Sequence, residues 1–406
     1  MKVGLIVPGF SSDATDWGIP VLVDVIRELS QRVELHVFAL RYPHRNDRYH
    51  LHGTEVHALG GGTVRGLRRP ALLAAACAGV IGEHRRRPFT ALHGVWADEP
   101  GFVAVAAGRF LRIPAIVSIM GGELISMPNI GYGGHLAWSN RLLSAVALHG
   151  AARVTAGSTQ LVELARPTLR PSRRSRIARL VWGIDPCLFE LRGQSIELAG
   201  EVRVLHVGSL VPIKDQVTLL RAIARVKDSQ AGIHLHIVGD GPLRTQLSHQ
   251  ARTLGLTTCV TFHGHVDRRA LAAYYRAAHV LAVTSRYEAE LVVALEAAVC
   301  GTPIVGTAVG LVADLAPQAA MVVRVGDDRA LAEAIRAAVQ AETGLSLETA
   351  ARRLVRSDYL AAHTADGLLS IYRDAATPEM AHGSDEVPEG LRSENRMHRA
   401  RPEDSP

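Results

Sequence analysis

Two consecutive series of strand-like and helix-like patterns predict an α/β protein made of two doubly wound, Rossmann-like domains. Three observations carry this expectation. The mostly apolar run KVGLIVP (2–8) reads as a buried parallel strand, and VRVLHVG (202–208) opens a second series of strands. Segments with apolar residues at helical spacing separate these runs, and the whole pattern restarts near residue 201. With 406 residues, of which 48% are hydrophobic and 21% charged, the chain is long enough for two ordinary domains.

The first strand, 2–8, opens into a loop with Gly9 and Gly18, and a helix over 19–31 then presents Val21, Leu22, Val25, Ile26 and Leu29 at helical spacing. After the strand VELHVFAL (33–40), strands near 54–58, 90–92 and 115–119 alternate with helices near 71–81 and 101–110. A glycine-rich loop (Gly121, Gly122, Gly131, Gly133, Gly134) precedes a helix at 136–148 and the strand ARVTA (152–156). In the second half, strands near 203–207, 233–238, 259–262, 279–284, 303–305 and 321–325 alternate with helices near 215–227, 243–254, 269–277, 290–300 and 328–340. The expected organisation is a first domain over 1–190 and a second over 201–357, joined around 189–200. A short helix at 347–356 precedes a last helix within 358–375 that returns to the first domain. The Pro-, Glu-, Ser- and Arg-rich segment 376–406 is expected to be a disordered tail.

Composition narrows the function classes. No apolar run reaches membrane-spanning length, since FVAVAAGRFLRIPAIVSIM is broken by Arg109 and Arg112. No leader pattern is expected in MKVGLIVPGF, and Cys77, Cys187, Cys259 and Cys300 lie far apart without metal-ligand spacing, so a reducing, cytoplasmic setting is expected. The net charge is +6, and residues 1–200 hold 23 Lys and Arg against 15 Asp and Glu. Clusters such as Arg85-Arg86-Arg87 and Arg173-Arg174 fit either solvated loops or peripheral contact with anionic membrane. Nucleic acid is not expected as a partner, because aromatics make up only 5% and no stacking platform accompanies the basic runs.

One stretch, LAVTSRYEAELVVALEAAVCGTPIVG (281–306), reads as strand, polar turn, alanine-rich helix, Gly-Thr-Pro stop and strand. A helix starting beyond the carboxyl end of a buried parallel strand points free N–H groups at the crevice where α/β proteins bind anions. Glu288 in the turn and Glu296 in the helix could hold sugar and ribose hydroxyls, or serve as a helix-end carboxylate and a solvated glutamate. The dinucleotide fingerprint G-x-G-x-x-G, the P-loop, H-E-x-x-H and G-x-S-x-G are all missing, which removes the usual two-domain nucleotide enzymes.

HVGSLVPIKDQVTLLRAIARV, LHIVGDGPLRTQLSHQARTLGL, VTFHGHV and SRYEAELVVALEAAVCGTPIVGTAVG follow in order over 201–316. In that order and spacing they resemble the C-terminal domain of the retaining glycosyltransferases of family 4, which have the GT-B fold. MKVGLIVPGF, PAIVSIMGGEL, ARVTAGSTQLVEL and VWGIDPCLF extend the resemblance more loosely over the first half. The resemblance implies two domains facing across a nucleotide-sugar crevice, with the donor on the second and the acceptor on the first. It implies transfer of a hexosyl group from a nucleoside diphosphate sugar to an unknown acceptor hydroxyl, without a metal ion and with no cofactor beyond the donor.

Carried over residue by residue, Glu288 and Glu296 match the E-x7-E pair, Glu288 toward the sugar and Glu296 toward the ribose. Lys214 matches the phosphate-clamp lysine, Gly264 to Val266 the segment whose backbone meets the base, and Gly18 the small residue of the first loop. Ser209, Leu291 and Val292 complete the expected donor contacts, Leu291 and Val292 through the phosphate-cradling turn and helix start. His93 and Glu123 are candidates for the acceptor or sugar side, His93 being equally readable as a satisfied histidine near a strand end. Asp98 and Glu99 read as helix N-terminal carboxylates.

Three departures stand out. Ser209 occupies the position of a phosphate-pairing arginine, Glu290-Leu291 replaces a glycine-bearing turn, and Met120 replaces a frequent catalytic histidine. Arg286 could restore the charge lost at 209, while a glutamate at 290 must point away from a diphosphate. The departures also leave open a non-catalytic nucleotide-binding protein on the same fold; a third reading, a nucleotide-sugar epimerase, is disfavoured by the E-x7-E arrangement.

Overall fold

The computed structural model describes residues 1–377 except 17, 229 and 231. The tail expected over 376–406 therefore lies, from 378 onward, outside the described residues.

The first sheet is built by β1 (Lys2–Gly9), β2 (Glu34–Tyr42), β3 (Asn46–Leu51), β4 (Thr54–Leu59), β5 (Ala91–Val95), β6 (Ala115–Ile119), β7 (Arg153–Ala156) and β8 (Ile177–Arg179). Its spatial order is β3-β4-β2-β1-β5-β6-β7-β8, parallel throughout except for β3, which runs antiparallel to β4. Helices α1 (Pro20–Ser30), α2 (Arg69–Arg86), α3 (Glu99–Leu111), α4 (Trp138–Gly150) and α5 (Thr159–Ala165) supply the crossovers. The second sheet contains β9 (Val202–Val207), β10 (Ile233–Val238), β11 (Val260–Gly264), β12 (Val280–Val283), β13 (Ile304–Thr307) and β14 (Met321–Val323), ordered β11-β10-β9-β12-β13-β14. Its helices are α6 (Gln216–Lys227), α7 (Arg244–Thr253), α8 (Arg268–Ala277), α9 (Val292–Val299), α10 (Gly310–Leu315) and α11 (Asp328–Ala338). Two doubly wound parallel sheets of this kind form the GT-B architecture.

The last described elements are α12 (Ala341–Asp358) and α13 (Ala361–Ala376). Helix α13 buries Ala361, Ala365, Leu368, Leu369 and Tyr372 in the core cluster of β1 and α1. Hydrogen bonds tie the crossing: Ala361 N–H donates to the Ile184 carbonyl at 2.9 Å, and the Thr364 side-chain hydroxyl donates to the Val181 carbonyl at 2.9 Å.

Four local expectations need correction. β3 was absent from the sequence pattern because NDRYHL is a mostly polar edge strand, closed onto β4 by His52 and Gly53, which adopt φ of 51° and 74°. Helix α12 is longer than the short segment at 347–356, and α13 starts at Ala361, because the chain breaks at Tyr359 and Leu360. Helix α9 begins at Val292, leaving Glu290 and Leu291 in the preceding turn. The crossover helix α2 runs through Arg86, since Arg85 and Arg86 continue it on its exposed face.

Candidate functional site

A cavity of about 1130 Å³ opens between the two sheets at their carboxyl ends. Gly18, Thr15 and Arg41 line it from the first domain, and Ser209, Val266 and Glu296 from the second. The loop after β1 is drawn together by Asp16, whose carboxylate accepts from Ser12 N–H at 2.7 Å, Gly18 N–H at 2.8 Å and the Tyr42 hydroxyl at 2.7 Å. Gly18 has φ +46°, and a Cβ there would stand 3.2 Å from the Ser11 nitrogen, so the loop's close turn requires glycine.

Helix α9 aims its start at this crevice. Leu291 before it offers no side-chain cap, so the first N–H groups are left for another acceptor, and Val292 and Val293 line the cavity. Lys214 ends the turn Pro212–Lys214, and Asp215 behind it takes φ +47°, a sparsely populated conformation for a residue with a side chain. The Lys214 ammonium pairs with the Glu288 carboxylate, which also accepts from the Ser285 hydroxyl at 2.5 Å. Arg286 is held on Asp215 at 3.2 Å, beside Lys214. The turn that carries Glu288 meets the glycine-rich loop of the first domain, where the Tyr287 hydroxyl donates to the Gly121 carbonyl at 3.0 Å.

Glu296 is 3% exposed and engaged within the protein. It accepts from Arg268 Nε at 3.2 Å and from the Tyr275 hydroxyl at 3.0 Å. The same guanidinium is bidentate on Asp24 of α1, at 2.9 and 2.6 Å. Burial pushes the Glu296 carboxyl up, with Arg268 and Tyr275 opposing that shift. For Arg268 burial pulls downward, yet the two carboxylates prevail and the guanidinium is held more firmly protonated.

Several sequence-based assignments change here. The helix-end and solvated alternative for Glu288 and Glu296 does not hold, since one is in an ion pair and the other is buried in a charge cluster. Leu291 is 6% exposed and packs into the second domain's core, so only its backbone faces the turn. His93 is fully buried, bonded to the Tyr372 hydroxyl at 2.7 Å and Ser118 Oγ at 2.8 Å, and burial pushes it down to about 3. It is a neutral core group joining β5, β6 and α13, which corrects its placement beside the acceptor. Glu123 is likewise buried; its carboxylate accepts from the N–H groups of Ala97 at 3.1 Å, Met120 at 3.0 Å and Gly121 at 2.6 Å. Its role is to fold the glycine-rich loop, which corrects its assignment as a sugar contact. Glu290 points away from the crevice, with the Trp182 N–H 3.4 Å away, and burial raises its carboxyl to about 8. Glu99 begins α3 but is clamped by Arg41 at 2.7 Å and Arg69 at 2.5 Å, while burial, with Glu123 and Glu99 adding, pushes Asp98 up to about 7.

Sequence reasoning missed Asp24 and Arg268. The available signal was a carboxylate inside an otherwise apolar helix face, at Asp24 between Val23 and Val25, and an arginine two residues beyond VTFHGHV. Neither points to the other across 244 positions.

Comparison with known proteins now bears on this geometry. Residues 190–353 match the model of the glycosyl transferases group 1. That match covers less than half of the chain and lies mostly in the second domain. Similar proteins include the D-inositol 3-phosphate glycosyltransferase of Rhodococcus erythropolis, 35% identical over 223 residues, 51% of this chain and 46% of the relative. The enzyme of the same name from Segniliparus rotundus is 28% identical, over 64% of this chain and 61% of its own. The chain thus spans about half the length of the first of these curated relatives and less than two thirds of the second. Among solved structures, sucrose-phosphate synthase from Thermosynechococcus elongatus superposes with a TM-score of 0.73 at 21% identity, covering 92% of this chain and 98% of that one. Anabaena Alr3699/HepE in complex with UDP and glucose superposes at 0.69 with 17% identity, covering 92% and 100%. These likenesses establish the GT-B fold of the chain.

Proposed function

We propose that the chain transfers a hexosyl group from a nucleoside diphosphate sugar to an acceptor hydroxyl, with retention at the anomeric carbon and without a metal ion. One observation carries this reading: Glu296 and the uncapped start of α9 meet the Gly18 loop across one crevice, with the Lys214–Glu288 pair beside it. In the transfer, the bond from the anomeric carbon to the diphosphate oxygen breaks and negative charge grows on the leaving group. Lys214 and the α9 N–H groups are the groups here that stabilise such charge. Glu288, released from Lys214 as the ammonium turns to phosphate, is then free for sugar hydroxyls. Glu296, oriented by Arg268 and Tyr275, accepts from the ribose. The UDP bound by Anabaena HepE supports a uridine nucleotide as the first donor to try.

A second reading is favoured by the pairing itself. Both glutamates already have protein partners, and Ser209, Met120 and Glu290 depart from the family pattern, so the protein could bind a nucleotide without turnover. Calorimetry with nucleoside diphosphates, alongside mass-spectrometric assay of a nucleotide-sugar panel with acceptors, separates the two. Transfer requires that Glu296→Gln and Lys214→Ala weaken nucleoside diphosphate binding by about 1.5 to 3 kcal/mol, the range for bonds to charged groups. Glu288→Gln should depress turnover with binding nearly intact. Nucleotide binding without turnover on any donor and acceptor supports the second reading, and no nucleotide binding at all removes both.

The partner on the acceptor side stays a proposal too. Among the described residues no helix is long and apolar enough to cross a membrane. Exposed Arg85, Arg86 and Arg87 on the basic first domain suit peripheral contact with anionic lipid, and vesicle flotation at low and high salt tests it.

A further inference from the structure

Away from the crevice, the first domain gathers four metal-ligating side chains from three elements. His36 lies on β2, Glu55 and His57 on β4, and Glu83 on α2, each offering an atom within 4.8 Å of every other. His36 Nδ1 is 3.1 Å from His57 Nε2, 3.8 Å from Glu55 Oε2 and 3.9 Å from Glu83 Oε1. His57 Nε2 is 3.5 Å from Glu55 Oε1. Four ligands about 2.0 to 2.2 Å from a tetrahedral ion are spaced roughly 3.3 to 3.6 Å from one another. These four separations, which draw on both Glu55 oxygens, straddle that spacing, and every pair of ligand atoms lies within 4.8 Å, so a bound ion draws the set together.

The support around these atoms is also of the kind a metal site uses. The far nitrogen of His36, Nε2, faces Glu34 Oε1 at 3.4 Å, the carboxylate-to-imidazole contact that orients a ligating ring. His36 pairs in register with Glu55, and the His57 ring stacks on Phe38 with centroids 4.6 Å apart, so the ligands stand on rigid strands. A cavity of about 550 Å³ lined by His36 and Glu55 leads to solvent. Lys2 is the competing cation. Its ammonium donates to Glu83 Oε1 at 3.0 Å and to the Arg87 carbonyl at 3.3 Å, while Arg86 and Arg87 hold outer oxygens of Glu83 and Glu34. None of these cations lies between the two facing ring nitrogens, which need either a proton or a metal ion there.

We propose that His36, Glu55, His57 and Glu83 form a closed, four-ligand zinc site that ties β2, β4 and α2 together and takes no part in sugar transfer. A closed ligand set leaves no open position for substrate, which is the pattern of structural zinc. Zinc binding to the folded state raises the folding constant about 100-fold when free zinc stands 100-fold above its dissociation constant.

The test uses the full chain, stripped with a chelator and titrated with zinc by calorimetry, with cobalt substituted for its visible absorption. One zinc per chain, a rise in Tm and the intense absorption of tetrahedral cobalt are expected. His57→Gln should abolish them. Glu55→Gln, at a partly exposed position that endangers folding less, should weaken zinc at least tenfold, and Glu34→Gln by about 10- to 100-fold through its hold on the His36 ring. Lys2→Met should tighten binding by removing the nearby positive charge. A second histidine group, His234, His236 and His263, is the control: His236→Gln should change nothing. The proposal is overturned if the wild type binds no stoichiometric zinc, if folded His57→Gln and Glu55→Gln retain it, or if His236→Gln loses it.

Discussion

Asp24 of the first domain and Arg268 of the second form a buried, bidentate ion pair, with Arg268 only 7% and Asp24 only 1% exposed. The same guanidinium holds Glu296 on the wall of the crevice. One residue thus links the two domains and orients the carboxylate proposed to meet the ribose. Its cost is desolvation of three charges, repaid only while all three remain together.

Removing the centre of that cluster should be expensive. Arg268→Ala leaves two buried carboxylates facing each other and is expected to cost about 3 to 5 kcal/mol of stability. Asp24→Asn with Arg268→Gln should cost less than the sum of the single changes, and a urea-denaturation double-mutant cycle measures the difference. Strict additivity would mean that the pair does not form in solution.

Glu290 should make stability depend on pH. Its carboxyl titrates near 8 in the fold, against 4.5 ordinarily, because it is buried. Between those values the folded chain keeps a proton that the unfolded chain has released. The contribution is therefore full below the lower value and lost as pH rises through the upper one, by up to about 1.4 kcal/mol per pH unit. Glu290→Gln, which mimics the protonated acid, should gain on the wild type as pH rises from about 5 to about 8. Parallel denaturation curves at several pH values check this, and a constant difference would contradict it.

Gly157 and Glu290 should be coupled. A Cβ at Gly157 would fall 1.9 Å from Glu290 Oε1 and 2.2 Å from its Cγ, so the whole buried side chain must move. Gly157→Ala should cost about 1 to 3 kcal/mol, the usual penalty of overpacking. In a Glu290→Ala background most of that penalty should vanish, as thermal melts of the four proteins would reveal.

Tyr372→Phe tests the reassignment of His93. It leaves His93 Nδ1 buried without its partner, and should lower stability by about 1 to 3 kcal/mol. Nucleotide affinity should be unchanged, because neither residue lines the crevice. A specific loss of affinity in the folded variant would return His93 to the site.

By itself the sequence determined the two-domain α/β plan and the stretch around which the crevice is built. Parallel strands buried on both faces read as near-continuous apolar runs, so β1, β6 and β12 are visible in any window that contains them. Glu288, Glu296, Lys214 and Gly18 were legible because short ordered motifs in the second half, with looser ones in the first, carry a family resemblance that composition cannot supply. What only the tertiary structure decided is what those residues touch. Burial and partner choice are long-range properties: His93 belongs to Tyr372, 279 positions away, and Glu296 to an arginine held by Asp24. The four-ligand cluster of His36, Glu55, His57 and Glu83 was hidden for the same reason. Its members are scattered over three elements with no motif spacing, and only strand register and the packing of α2 bring their ligand atoms together.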